Sequence, residues 1–167
     1  MVGNKGATAF TGTAAEIARF EDFLDRATDE VFSTMIGVGC QPTEPGPDAE
    51  HGTLSAVIGL AGAMSGSLVL HAGTGAALRI AERMMGMEPA EVDAMVRDAV
   101  GEVCNMIAGA WKGFDPELAS GCLLSTPTVV AGTSYELFSQ RAPIRIDRRY
   151  GFEDRAFTIT IFCELPG

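Results

Sequence analysis

Positive charge is scarce in this chain: two lysines and ten arginines stand against 22 acidic residues, for a formal net charge of −10 over 167 residues. Such a balance argues against a nucleic-acid binder, which needs a basic face, and against docking on an anionic lipid surface. Long apolar runs are missing too, and none approaches the roughly 20 residues that cross a bilayer. The opening segment has Lys5 as its one charge and no apolar block, so a secretory signal is not expected and the expected location is the cytoplasm. Cysteine is sparse and scattered: Cys40, Cys104, Cys122 and Cys163 form no C-x-x-C and have no histidine pair nearby, which argues against a zinc site. Cys104 and Cys163 instead fit apolar positions of a helix and a strand, as buried free thiols. The two histidines, His51 and His71, stand in no pattern with a carboxylate and read as structural or solvated. No G-x-S-x-G, H-E-x-x-H or S-x-x-K occurs. Gly59, Gly62 and Gly66 make neither G-x-G-x-x-G nor a P-loop, and suit a hairpin turn better.

What is present describes one domain of ordinary globular composition, long enough to bury a core. Residues 1–12 are rich in glycine and small polar residues and are expected to be loose. Thr13-x-x-Glu16 is a capping box that starts a helix running to about Ile36, with Ile17, Phe20, Leu24, Ala27 and Val31 on one face and Gly37 and Gly39 ending it. The acidic, proline-rich residues 41–52 read as a loop. Thr53 to Ala61 and Ser67 to His71 read as strands of a hairpin. Thr74 can cap a second helix through Met85, closed by Gly86, and Pro89 suits the first turn of a third that ends near Gly113. Residues 126–140 resemble a further pair of strand segments around Gly132. Ile144 and Ile146 alternate with Arg145 and Asp147, and Phe157, Ile159, Ile161 and Cys163 alternate with Thr158, Thr160, Phe162 and Glu164, which marks a half-buried strand. The expected architecture is α+β: a mainly antiparallel sheet with helices packed on one face, in a single domain over 13–165.

One segment carries chemistry. Asp98-x-x-x-Glu102-x-x-Asn105 lies within an otherwise apolar helical stretch from Val92 to Trp111. Offsets of four and three place the three polar groups on one narrow stripe, and Gly109 falls on it one turn later. Val96, Val100, Val103, Ile107 and Trp111 gather on the opposite side, toward a core. A solvated helix face would account for the two acids, but asparagine is a mediocre helix former that stability alone would replace. Its amide offers a donor and an acceptor on a short, stiff side chain. Such a group is no general base, but it can position water.

The stripe has an internal echo. Residues 29–37 align without gaps to 101–109, with Glu30 on Glu102, Val31 on Val103 and Gly37 on Gly109, while Ser33 stands where the second copy has Asn105. This reads as a duplicated unit with one intact stripe and one degenerate one.

Residues 98–109, Asp98 to Gly109, resemble the motif helix of the CheC/CheX/FliY phosphatases, CheX in particular, which carry D/S-x-x-x-E-x-x-N. The likeness extends to the run Ile58 to Ser67 and to Ser125 through Gly132, and covers roughly residues 13–165. It implies a CheX-like pseudo-duplicated fold and dephosphorylation of the phospho-aspartate of a CheY-like response regulator. Asn105 would orient the attacking water and Glu102 would pair with the regulator's active-site lysine. Gly109 would allow close approach, and Asp98 would steer or support Glu102. The resemblance also implies a homodimer associating through its sheet, for which the strand Phe157 to Cys163 is a candidate. It implies no cofactor of the chain's own, the Mg²⁺ belonging to the partner. The loop 41–52 and the run Arg145 to Arg149 depart from the family pattern. Arg148 and Arg149 are a partner patch or, on the plainer reading, solvated strand-end charge. Two other functions fit the same residues less well: a non-catalytic module that binds a regulator or a flagellar-switch component, and a small-molecule binding domain.

Overall fold

A computed structural model describes residues 12–46, 53–132 and 144–164. Helix α1 spans Ala14–Val31 and begins at the expected capping box. The Glu16 carboxylate accepts from the Thr13 N–H at 3.0 Å, and the Thr13 hydroxyl accepts from the Glu16 N–H at 3.3 Å. Phe20, Leu24, Ala27 and Val31 are buried, as their spacing requires, and Ile17 packs at the margin. The helix continues to Ile36, but its last turn, Phe32–Ile36, is π-helical and closes on Gly37, whose φ of +79° suits glycine. Phe32 within it stacks on Phe157 at 5.0 Å.

The sheet contains strands β1 (Gln41–Pro42), β2 (Thr53–Gly62), β3 (Ser65–Gly73), β4 (Cys122–Leu124), β5 (Thr128–Gly132), β6 (Ile144–Phe152) and β7 (Arg155–Glu164). Every pairing is antiparallel, in the order β1-β6-β7-β3-β2, with β4 and β5 both lying on the far side of β2. Between those two pairings, Ile58 and Gly59 of β2 face three residues, Ser125 to Pro127, so the outer strand carries one extra residue, a β-bulge. The Ser125 hydroxyl fills the gap in the ladder by accepting the Gly59 N–H at 2.8 Å.

Helices α2 (Thr74–Met85), α3 (Ala94–Gly113) and α4 (Pro116–Gly121) complete the chain. One face of the sheet is the core. Leu54, Ala56 and Ile58 of β2, Leu68 and Leu70 of β3, and Phe157, Ile159, Ile161 and Cys163 of β7 are buried against the helices. This is the expected α+β arrangement.

Several local expectations need correction. Gly73, not Thr74, occupies the N-cap of α2, and Thr74 is already helical. Pro89 precedes α3 rather than opening it. The N-cap is Asp93, whose carboxylate accepts the Val96 N–H at 3.0 Å and so satisfies a donor that no helical carbonyl reaches. The loop from residue 41 holds the short strand β1 on the edge of β6. Strand β7 lies between β3 and β6 with both edges paired, so it cannot extend the sheet into a second copy. Arg148 is not a free strand-end charge: half-buried, its guanidinium grips the Asp25 carboxylate of α1, with Nε to Oδ1 at 3.0 Å, and Tyr150 donates to the same oxygen at 2.7 Å. The readings for the N-terminal segment through residue 11, for residues 47–52 including His51, and for a strand after Gly132 lie outside the described residues.

Candidate active site on helix α3

Helix α3 is held at its C-terminal end. Trp111, fully buried, meets Phe20 of α1 edge-on at 5.7 Å and donates its indole N–H to the Phe20 carbonyl at 3.1 Å. Lys112 reaches the carbonyl of Cys122 at 2.7 Å, binding the helix end to β4. Val96, Val100, Val103 and Ile107 are all fully buried, so the apolar side falls where the periodicity puts it. Cys104 is buried among them and donates toward the Ala56 carbonyl, and burial pushes its thiol up to about 12. Cys163 is likewise buried and free, pushed by burial to about 11, so neither is a reactive thiolate.

The opposite side carries the stripe. Asp98 and Glu102 are exposed, and Asn105 and Gly109 are half-buried beside them. At about 100° per residue the four share one face of a rigid helix. Among the described residues, the side chains of Asp98, Glu102 and Asn105 have no hydrogen bond or ion pair of their own. Several charged side chains elsewhere are paired within the fold. Arg79 and Arg83 of α2 clamp Glu153 at the β6–β7 turn, and Arg145 holds Asp147 at 2.7 Å. The stripe sets two carboxylates and an amide side by side on one helix face with no partner among the described residues.

Two glycines frame it differently. A methyl group at Gly109 would meet nothing within 4 Å, so the fold itself does not demand glycine there. Gly101, next to Glu102, is buried. A methyl group in its place would stand 3.3 Å from Val129 and 3.5 Å from Pro127. The bulged outer strand therefore leans on α3 through this position. In the sequence Gly101 stands out only as part of the motif run, although a glycine inside a helix, costing about 1 kcal/mol against alanine, is the available signal.

The echo on α1 is built otherwise. Glu30 and Ser33 are exposed, but Ser33 lies in the π-helical turn and its hydroxyl points to the Asp29 carboxylate at 3.5 Å. Gly37, the counterpart of Gly109, ends the helix instead of continuing the face.

A family model described as chemotaxis phosphatase CheX matches residues 54–147. A curated relative from Thermotoga maritima, named CheY-P phosphatase CheX, is 34% identical over 127 residues, covering 73% of this chain and 81% of its own. The chain belongs to the CheX family. The crystal structure of chemotaxis protein CheX from Vibrio vulnificus superposes with a TM-score of 0.75 at 27% identity, covering 89% of this chain and 98% of that one. A CheX of Borrelia burgdorferi, solved in complex with CheY, BeF₃ and Mg²⁺, shares the fold with a TM-score of 0.70 at 18% identity, covering 87% and 97%. The CheX resemblance read from the motif helix is thus borne out for family and fold. The matched region includes α3 and all of the stripe.

Among the described residues no cluster of histidine, cysteine or acidic side chains could hold a metal ion. Among the described residues no helix is long and apolar enough to cross a membrane.

Proposed function

We propose that this CheX-family chain is a protein phosphatase that hydrolyses the phospho-aspartate of a CheY-like receiver domain in the cytoplasm. The observation that carries this reading is the stripe on α3: Glu102 and Asn105 on one exposed, rigid face, with no side-chain partner among the described residues. An acyl phosphate is already reactive, so catalysis needs chiefly a water placed in line with the bond from phosphorus to the aspartyl oxygen. Asn105 would enter the partner's active site, its amide oxygen taking a hydrogen bond from that water and fixing its approach. The water oxygen bonds to phosphorus, the aspartyl oxygen leaves with the bonding pair, and aspartate and inorganic phosphate result. Glu102 would dock on the partner's active-site lysine through a charge-assisted hydrogen bond, and Asp98 would add negative potential beside it. Gly109 would let the partner's backbone approach the helix. Mg²⁺ would be supplied by the receiver. A homodimer, if formed through the sheet, would use an outer strand or the uncovered face, since β7 is flanked on both sides.

The test is direct. Receiver domains phosphorylated with acetyl phosphate are mixed with the purified chain, and loss of phosphate is followed against receiver alone. Accelerated loss supports the proposal. Binding to a BeF₃-loaded receiver without acceleration would favour the non-catalytic module instead.

A further inference from the structure

We propose that Met95 extends the docking face of α3 by one turn and sets specificity for receivers that carry an apolar side chain beyond their active-site cation. This rests on the phosphatase reading above. Among the described residues five large apolar side chains are exposed, and Met95, at 53%, is the one on α3. It precedes Glu102 by about two helical turns, which returns it to the same face as Asp98 and Glu102.

The fold gives Met95 nothing to do. It is the second helical residue after the Asp93 cap, and no acidic residue occupies that first turn. An exposed carboxylate there would be favoured by the helix dipole, by about 0.3–1 kcal/mol. A long, exposed apolar side chain at that place forgoes this gain and adds no core packing. The same reasoning marks Asn105 and Gly109, so three residues on one face are unexplained by stability and explained by a partner.

The geometry defines what Met95 would touch. At about 1.5 Å per residue it stands about 10 Å along the axis from Glu102, on the side away from Asn105. The partner must therefore place, in order along the helix, an apolar contact, then the lysine met by Glu102, then the phosphate. Methionine is flexible and polarizable, and adapts to such a contact without a preformed pocket. The charged pair gives register, while the apolar contact separates one receiver from another.

Steady-state dephosphorylation, with the concentration of a phosphorylated receiver varied, tests this. Met95→Gln keeps length and helix propensity but not apolarity. It is expected to raise KM about fivefold with kcat changed less than twofold, and Met95→Leu is expected to restore KM. The penalty should persist in high salt, unlike that of Glu102→Ala. A KM for Met95→Gln within twofold of wild type, or a Met95→Leu as impaired as Met95→Gln, overturns the inference while leaving the phosphatase reading intact. Failure of the wild-type chain to accelerate phosphate loss from any receiver overturns both.

Discussion

The carboxylate of Asp29 accepts the backbone N–H of Cys40 at 3.2 Å, and Asp29 holds in α1 the place that Gly101 holds in α3. The two halves of the echo use this position in opposite ways. In α1 it ties down the chain that returns from the helix, and Ser33 and Gln41 gather on the same oxygen. In α3 it is emptied so that Pro127 and Val129 can approach. The echo spans two helices, and the polar stripe is complete on one.

Replacing Asn105 by alanine should reduce accelerated phosphate loss by about 100-fold or more while receiver binding stays close to normal. A group that places water acts on the transition state rather than on the docked complex. Stopped-flow phosphate release paired with calorimetric titration of a BeF₃-loaded receiver separates the two effects. Near-normal turnover by the folded variant would remove the proposed mechanism.

Glu102→Ala should weaken the same complex, and rising salt should weaken the wild type toward the level of the variant. A partly exposed ion pair is screened over a Debye length of about 8 Å at physiological ionic strength. Calorimetric titrations at several salt concentrations check this. An affinity unchanged by the substitution would give Glu102 another task.

Gly109→Ala should move stability and function in opposite directions. The added methyl group meets nothing of the chain, so the helix should gain about 0.5–1 kcal/mol. If a partner backbone lies close to that position, KM rises. Thermal melts and phosphatase kinetics on one preparation read both, and a gain in stability with unaltered KM would show that the glycine leaves room for nothing.

The echo should be silent. Ser33→Ala is expected to change the rate less than twofold, and Ser33→Asn should not rescue Asn105→Ala. The reason is geometric. Ser33 lies in a π-helical turn that Gly37 ends, and Arg26 stands where the second copy has Asp98. A large loss in a folded Ser33→Ala would reassign α1 as functional.

The clamp on Glu153 predicts an acid limb of stability. Hydrogen bonds from Arg79, then Arg83, hold its carboxyl at about 2, against an ordinary 4.5. A carboxylate with a depressed folded value stabilises above its unfolded value, and the stabilisation is lost as pH falls from about 4.5 toward 2. Glu153→Gln should lower stability at neutral pH and flatten this part of the profile. Urea melts across pH 2–6 measure it.

How much of this was legible in the sequence depended on how local its cause was. The capping box at Thr13 and Glu16, the alternation in β7 and the stripe on α3 are patterns within one element, and each reappears in the structure. Arg148 was misread because its environment is non-local. Its parity in β6 matches Ile144, Ile146 and Tyr150, which face the helices, and a charge on that side needs a partner. Asp25, from the far end of the chain, provides it. Helix α4 was missed for its brevity, although Asp115 capping Glu117 and Leu118 and Pro116 opening the turn were the cues. The start of α3 was misplaced because Pro89 and Asp93 are both good openings, and only the carboxylate contact to Val96 decides between them. For the site, the sequence supplied the residues on the stripe but not the support behind Gly101, which comes from a strand paired on the other side of β2.

That support depends on counting. Side chains on a strand alternate between faces, so the single extra residue between β4 and β5 decides which of Val129 and Val130 points at the helices. With it, Val129 lies opposite Ala56 on the core side and rests on Gly101, while Val130 lies opposite Ser55 and faces away. Were the same chain to run on without the bulge, β5 would slide by one residue: Val130 would turn inward, Val129 outward, and the surface behind Glu102 would be remade without any change to the motif. The orientation of α3 toward a partner is therefore encoded partly by a bulge in a segment that carries no reactive group.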